Sequence, residues 1–308
     1  MRTLIIHNVK SGFGSDALFE FQRSLLGEGD TCVIRTLGGG QEAPQIIEDA
    51  KQFDLVVLSG GDGTVAGLLY ALRYRGVPTC VFPSGTANLF FNNLGNAAEP
   101  LAIARACRAG RCAKTDLGEM RWHTTEGAPH TAGFSIMAGF GFDAQIMLDA
   151  VPAKQTLGEA AYFVAALSNP QPNIATFDID VDGTHYQRQG ISCLLANNAM
   201  IQAEIEVVPD CTMDDGMLNV VVLEVTQTAE LIVPIVAGLL DKSGKTYGRP
   251  TIESFKGRHI TVTSSEPLPL QIDGDAMDGL VTSYEADILA GANSLIVDKT
   301  SRYWHARG

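Results

Sequence analysis

The sequence predicts a doubly wound α/β N-terminal domain over residues 1–116, followed over 117–308 by a mainly antiparallel β-sandwich. Three observations carry this reading. Short apolar strands alternate with helical segments through the first part of the chain, the pattern of a parallel sheet. Two of those strands run directly into polar glycine turns. Beyond Asp116-Leu117-Gly118 the periodicity changes to two, as antiparallel strands with one buried face require. A chain of 308 residues is also long for one core and natural for two.

In order, Leu4-Ile5-Ile6 leads through a glycine turn to a helix near 15–27. Thr31-Cys32-Val33-Ile34 leads to a helix near 43–52, and Leu55-Val56-Val57-Leu58 to one near 64–75. Thr79-Cys80-Val81-Phe82 is a fourth strand, and a helix near 99–109 closes the domain. In the second domain, Phe177 to Val181, Ile191 to Leu195, Leu218 to Val225 and His259 to Thr263 read as strands. Gly158 to Leu167 reads as a helix with Tyr162, Phe163 and Leu167 on one face, and Leu231 to Leu240 as another. The last strand of the chain is left open to return to the first domain.

The turn Gly60-Gly61-Asp62-Gly63-Thr64 follows the third strand. Its glycines let the backbone lay N–H groups against an anion, usually a phosphate. Asp62 would repel a bare phosphate unless Mg²⁺ or a reacting hydroxyl lies between, so the pattern points to phosphate chemistry rather than passive anion capture. It also suits a plain helix cap. A second turn of the same kind, Pro83-Ser84-Gly85-Thr86-Ala87-Asn88, follows the fourth strand. Ligands of open α/β sheets gather at such strand ends.

At these residues the sequence resembles the diacylglycerol kinase catalytic-domain family, lipid kinases that include bacterial diacylglycerol kinases and sphingosine kinases. The resemblance continues through Asn8-Val9-Lys10-Ser11-Gly12, Asp116-Leu117-Gly118, Gly139-Phe140-Gly141-Phe142-Asp143-Ala144, Asp215-Gly216-Met217-Leu218 and Ile272-Asp273-Gly274-Asp275, in the family's order and spacing. It implies ATP and Mg²⁺ as cofactors and a NAD kinase-like arrangement of the two domains. Asn8, Ser11, Gly12, Thr36, Gly60, Gly61, Asp62, Gly63, Thr64, Gly85, Thr86 and Asn88 fall in the nucleotide-binding segments. Asp275 stands at the family's proton-accepting glutamate, with Asp273 and Asp62 as alternative catalytic carboxylates. Asp215 with the main-chain oxygens of Thr212 and Met217 matches the family's structural Mg²⁺ site. Each of these also reads as an ordinary turn residue.

The chain departs from the family pattern at Val9, Gly67, Leu89 and Asp275, where many members carry proline, glutamate, aspartate and glutamate. Asp275 is shorter than glutamate by one bond, about 1.5 Å. Gly67 removes a carboxylate from the helix after the first turn. The expected activity is therefore ATP- and Mg²⁺-dependent phosphorylation of a hydroxyl on diacylglycerol or a related lipid. The alternatives are a soluble-substrate kinase of the NAD kinase type and a nucleotide- or lipid-binding regulator that has lost turnover.

Composition narrows the partners. The formal charge of −13 argues against nucleic acid and against a broad electrostatic grip on anionic lipid, so membrane contact for a lipid substrate must be local and peripheral. Two basic stretches, Arg105, Arg108, Arg111 and Lys114, then Lys242, Lys245 and Arg249, read as solvated faces. Six scattered cysteines without metal spacing read as reduced thiols. No apolar run approaches the roughly 20 residues of a spanning helix, and the N-terminus reads as a strand rather than a signal peptide. The expectation is a cytoplasmic protein, peripheral to the inner face of the membrane, with a homodimer left open.

Overall fold

A computed structural model describes residues 1–11, 16–38, 43–124, 127, 129–141, 173–200, 206–224, 230, 237, 240–246, 248–249 and 251–305. They divide into two compact units, 1–117 with 290–308, and 118–289. Gly12, Phe142 to Ala144, the helix expected at 158–167 and most of 231–240 lie outside the described residues.

The first unit contains β1 (Arg2–Asn8), α1 (Ala17–Leu25), β2 (Thr31–Leu37), α2 (Ala43–Ile46), β3 (Leu55–Gly60), α3 (Asp62–Leu72), β4 (Pro78–Pro83), α4 (Leu89–Leu94) and α5 (Pro100–Ala109). Its sheet runs β2-β1-β3-β4, all parallel, and Ser294 and Leu295 add in parallel beside Pro78 and Thr79. Residues 290–308, which the sequence groups with the β-rich domain, thus lie in this unit. All six residues of β3 are buried, which is why it opens on the unbroken apolar run Leu55 to Leu58 instead of an alternating one.

The helix expected over 43–52 is reduced to α2 and a 3₁₀ turn at Ala50–Gln52. Two arginines take the carbonyls that a longer helix would use. Arg35 Nη1 donates to Ile46 O at 2.7 Å, and Arg75 Nη1 to Ile47 O at 2.8 Å and Glu48 O at 3.1 Å. Asp49 is drawn into a bidentate pair with Arg35.

In the second unit the strands are β5 (Cys112–Thr124), which begins in the first unit, β6 (Pro129–Phe134), β7 (Met137–Gly141), β8 (Ala175–Val181), β9 (Thr184–Gly190), β10 (Ser192–Ala196), β11 (Leu218–Leu223), β12 (Ile252–Gly257), β13 (His259–Ile272) and β14 (Asp275–Ile296), whose end lies in the first unit. The path β12-β11-β10-β7-β13 is antiparallel throughout. The first half of β13 pairs with β8, its end with β7, and the register slips between Thr263 and Leu268. One strand therefore serves two layers. Between them Phe140, Phe177, Leu195, Val220, Ile260 and Tyr284 form a closed core. The fold class is thus a doubly wound α/β domain with a β-sandwich. Among the described residues, no helix is long and apolar enough to cross a membrane.

Candidate functional site

Parallel register brings four strand ends to one level. His7 lies opposite both Thr36 and Ser59, and Ser59 opposite Phe82. Immediately beyond them the chain makes the two glycine turns. Gly61 caps α3 with extended backbone, so the first N–H groups of that helix, from Asp62 to Thr64, lack intrahelical acceptors and are available to an anion. Gly61 O accepts Val65 N at 3.0 Å, which fixes the start of the helix.

The two turns are pressed together. A Cβ added to Gly85 would lie 2.5 Å from Gly61 Cα, and one added to Gly60 would lie 2.6 Å from Thr64 Cγ2. Asn88 sits in the left-handed region at φ 49° and closes its own loop, donating to Gly85 O at 2.9 Å while accepting Gly85 N at 2.8 Å. Asp62 Oδ1 accepts Phe90 N at 2.9 Å, tying the first turn to the start of α4. The carboxylate does act as a cap, though for the neighbouring helix. Its other oxygen makes no hydrogen bond among the described residues.

From β1, Asn8 Nδ2 donates to Thr64 Oγ1 at 2.8 Å, and Asn8 Oδ1 accepts Lys10 N at 3.0 Å. Ser11 N returns to Asn8 O at 2.9 Å, so Asn8 to Ser11 form a tight turn beside α3. Thr86 is exposed. Thr36 is exposed on a depression of about 730 Å³ that Arg35, Ile46 and Asp49 also line. Thus Asn8, Ser11, Gly60 to Thr64, Gly85 and Asn88 share one hydrogen-bonded and close-packed edge, and Thr36 joins it through strand register.

A polar chain under the turns was not foreseen. His7 Nδ1 lies 2.9 Å from Ser59 Oγ, which lies 2.8 Å from Ser84 Oγ. Burial lowers the His7 pKa, with the Ser59 contact opposing. Ser59, a hydroxyl inserted between an apolar run and glycines, was the signal in the sequence.

In the second unit, Asp273 and Gly274 form the two-residue turn between β13 and β14, with φ 48° and 87°. Both signs are positive, as the type I′ turn of a two-residue hairpin requires, and Asp-Gly is a favoured pair for it. The Asp273 carboxylate accepts four donors: Ser135 N at 2.7 Å and Oγ at 3.0 Å on one oxygen, Ile136 N at 2.8 Å and Met137 N at 3.1 Å on the other. Burial pushes its pKa up to about 6, and these hydrogen bonds oppose the rise. Asp275 instead begins β14 exposed, with no side-chain hydrogen bond among the described residues. A proton acceptor needs a free, reachable lone pair, and of the two only Asp275 offers one.

At the expected metal site, Asp215 Oδ1 accepts Met217 N at 3.0 Å, while Oδ2 is 2.8 Å from the Lys256 ammonium. Lys256 also donates to Asp210 O at 3.1 Å. The single carboxylate offered with Thr212 and Met217 already carries a cation, and this donor set does not fit Mg²⁺. The nucleotide, by contrast, fits the first unit, where free helix N–H groups meet a turn without side chains at Gly61 and Gly63. The basic stretches are partly structural. Arg108 pairs with Asp30, Arg111 stacks on Trp304, and Arg249 is spent on the carbonyls of Glu206, Asp241 and Lys242.

Residues 2–120 match the diacylglycerol kinase catalytic domain, and residues 136–294, more than half the chain, match the YegS C-terminal NAD kinase beta sandwich-like domain. The chain is 27% identical to a diacylglycerol kinase of Bacillus subtilis over 231 residues, covering 73% of this chain and 72% of that one. It is 23% identical to a probable YegS-like lipid kinase of Klebsiella pneumoniae over 284 residues, 90% of each. An uncharacterized Synechocystis protein is 26% identical over 232 residues, 74% of this chain; the match spans 51% of that relative's length. Among solved structures, a putative diacylglycerol kinase from Bacillus anthracis superposes with a TM-score of 0.76 at 19% identity, covering 97% of this chain and 95% of that one, a likeness of fold.

Proposed function

Because this chain belongs to the diacylglycerol kinase catalytic-domain family, whose members are kinases with alcohol acceptors, we propose that it is an ATP- and Mg²⁺-dependent lipid kinase that phosphorylates a hydroxyl of diacylglycerol or a related lipid. The observation that supports this most is the paired glycine turns at the ends of β3 and β4, joined backbone to backbone and braced by Asn8. Phosphoryl transfer needs little from a protein except position and charge. The N–H groups of Gly63 and Thr64 would hold phosphate oxygens. The unshared Asp62 oxygen would orient the nucleotide's Mg²⁺ or the acceptor, and Asp275 would take the acceptor's proton. The nucleotide supplies the phosphoryl group. Lipid reaches the protein by peripheral contact at the membrane surface, at the inner face for a cytoplasmic chain.

One observation favours a second reading, a regulator that binds nucleotide without turnover. Gly67 lies on an exposed face of α3 with nothing within 4 Å of where a Cβ would be, so the carboxylate common in the family is replaced by open space. The deciding experiment incubates the protein with labelled ATP, Mg²⁺, a panel of dispersed lipids and, separately, NAD. Label in a lipid phosphate supports the proposal. Label in NADP moves the protein to the soluble-substrate kinases, and nucleotide binding without ATP consumption identifies the regulator.

A further inference from the structure

The Asp215 loop carries its own cation. β11 and β12 pair so that Lys256 stands opposite Asn219, two residues beyond Met217. This register brings the Lys256 ammonium over the loop, 2.8 Å from Asp215 Oδ2 and 3.1 Å from Asp210 O. The backbone at Asp210 is left-handed, at φ 62°. One carboxylate oxygen and one main-chain oxygen converging on a cation are the donor types by which a hard divalent ion ties a loop together. Here both are satisfied by three rotatable N–H donors on a covalent tether.

We propose that Lys256 is the resident cation of this loop, paired with the same Asp215 carboxylate to which the family resemblance assigns a structural Mg²⁺, so that the second unit holds the loop 210–217 without metal. Two arguments support it. Mg²⁺ sheds water reluctantly and would have to displace an ammonium that is never free to diffuse away. The Asp215 carboxylate is also already paired with Lys256 through one oxygen, and its other oxygen accepts the Met217 N–H. The inference does not depend on the acceptor or on catalysis.

The test is thermal unfolding without nucleotide, at matched ionic strength, in EDTA and in excess MgCl₂, for the wild type, Lys256→Met, Asp215→Asn and the double variant. The wild type is expected to melt at the same temperature in both buffers. Lys256→Met exposes the oxygens and acquires a Mg²⁺-dependent rise of about 5 °C, the size expected for a site well above saturation in a chain of this length. The double variant loses that rise. A Mg²⁺-dependent rise in the wild type that Asp215→Asn abolishes overturns the proposal, and that comparison does not require Lys256→Met to fold. A Lys256→Met protein that folds yet is indifferent to Mg²⁺ overturns it as well.

Discussion

Gly61 and Gly85 touch through their backbones, and the contact leaves no room for a side chain at position 85. Each glycine belongs to a different turn, one opening α3 and the other preceding α4, so the contact sets the spacing of the two loops.

Gly85→Ala is therefore expected to push the turns apart. The cost is about 1–3 kcal/mol of stability, as for other overpacked sites, together with a loss of nucleotide affinity. Calorimetric unfolding and nucleotide titration measure the two effects. Unchanged affinity would show that the spacing is not used in binding.

At Asp62, structure and chemistry separate. Asp62→Asn keeps an oxygen for Phe90 N and should leave stability near wild type while removing phosphoryl transfer. Asp62→Ala should also lose about 1 kcal/mol with the cap. Wild-type turnover in the asparagine variant would remove the charge from the mechanism.

Asp273 and Asp275 should part in the opposite way. Asp273→Asn places an NH₂ group among four donors and should cost about 1–3 kcal/mol. Asp275→Asn should leave the melting temperature alone and lower kcat by roughly a hundredfold or more, whereas Asp275→Glu should retain or raise it. A stable, fully active Asp275→Asn protein would make Asp275 a plain strand residue.

Gly67→Ala should raise stability by up to about 1 kcal/mol, because the site is open and mid-helical. Gly67→Glu tests whether the missing carboxylate limits turnover. An increase in kcat favours a kinase restrained by that loss, and no change detaches the position from catalysis.

His7 predicts an acid limit. Its folded pKa is lowered by burial, so the unfolded chain takes up the proton first as pH falls. The stability this group contributes is fully present above the unfolded value of about 6.5 and declines as pH falls from there through the folded value. His7→Gln should flatten urea-unfolding stability across that window. An unaltered slope would mean that other groups set it.

The α/β half was legible because buried parallel strands are unbroken apolar runs and glycine turns announce their ends. The Leu55 to Leu58 run and Gly60 to Thr64 are the clearest case. Strand β13 was read only to Thr263, where its period-two pattern breaks at the register slip before Leu268. The helix over 43–52 looked continuous because nothing local reveals that Arg35 and Arg75 reach its carbonyls from elsewhere. Candidate site residues from single motifs were visible, but their partners were not. Lys256 comes from a strand with no motif, and the donors to Asp273 lie far away in sequence at Ser135 to Met137.

The strand that begins at Asp275 finishes beside β4, in the sheet that the N-terminal residues started. During synthesis, β4 must wait with that edge uncovered until the whole of the intervening unit has left the ribosome. A release fragment ending near residue 117 would keep every glycine of the candidate nucleotide edge and still carry β4 with its edge open at Pro78 and Thr79, a place for another chain to pair.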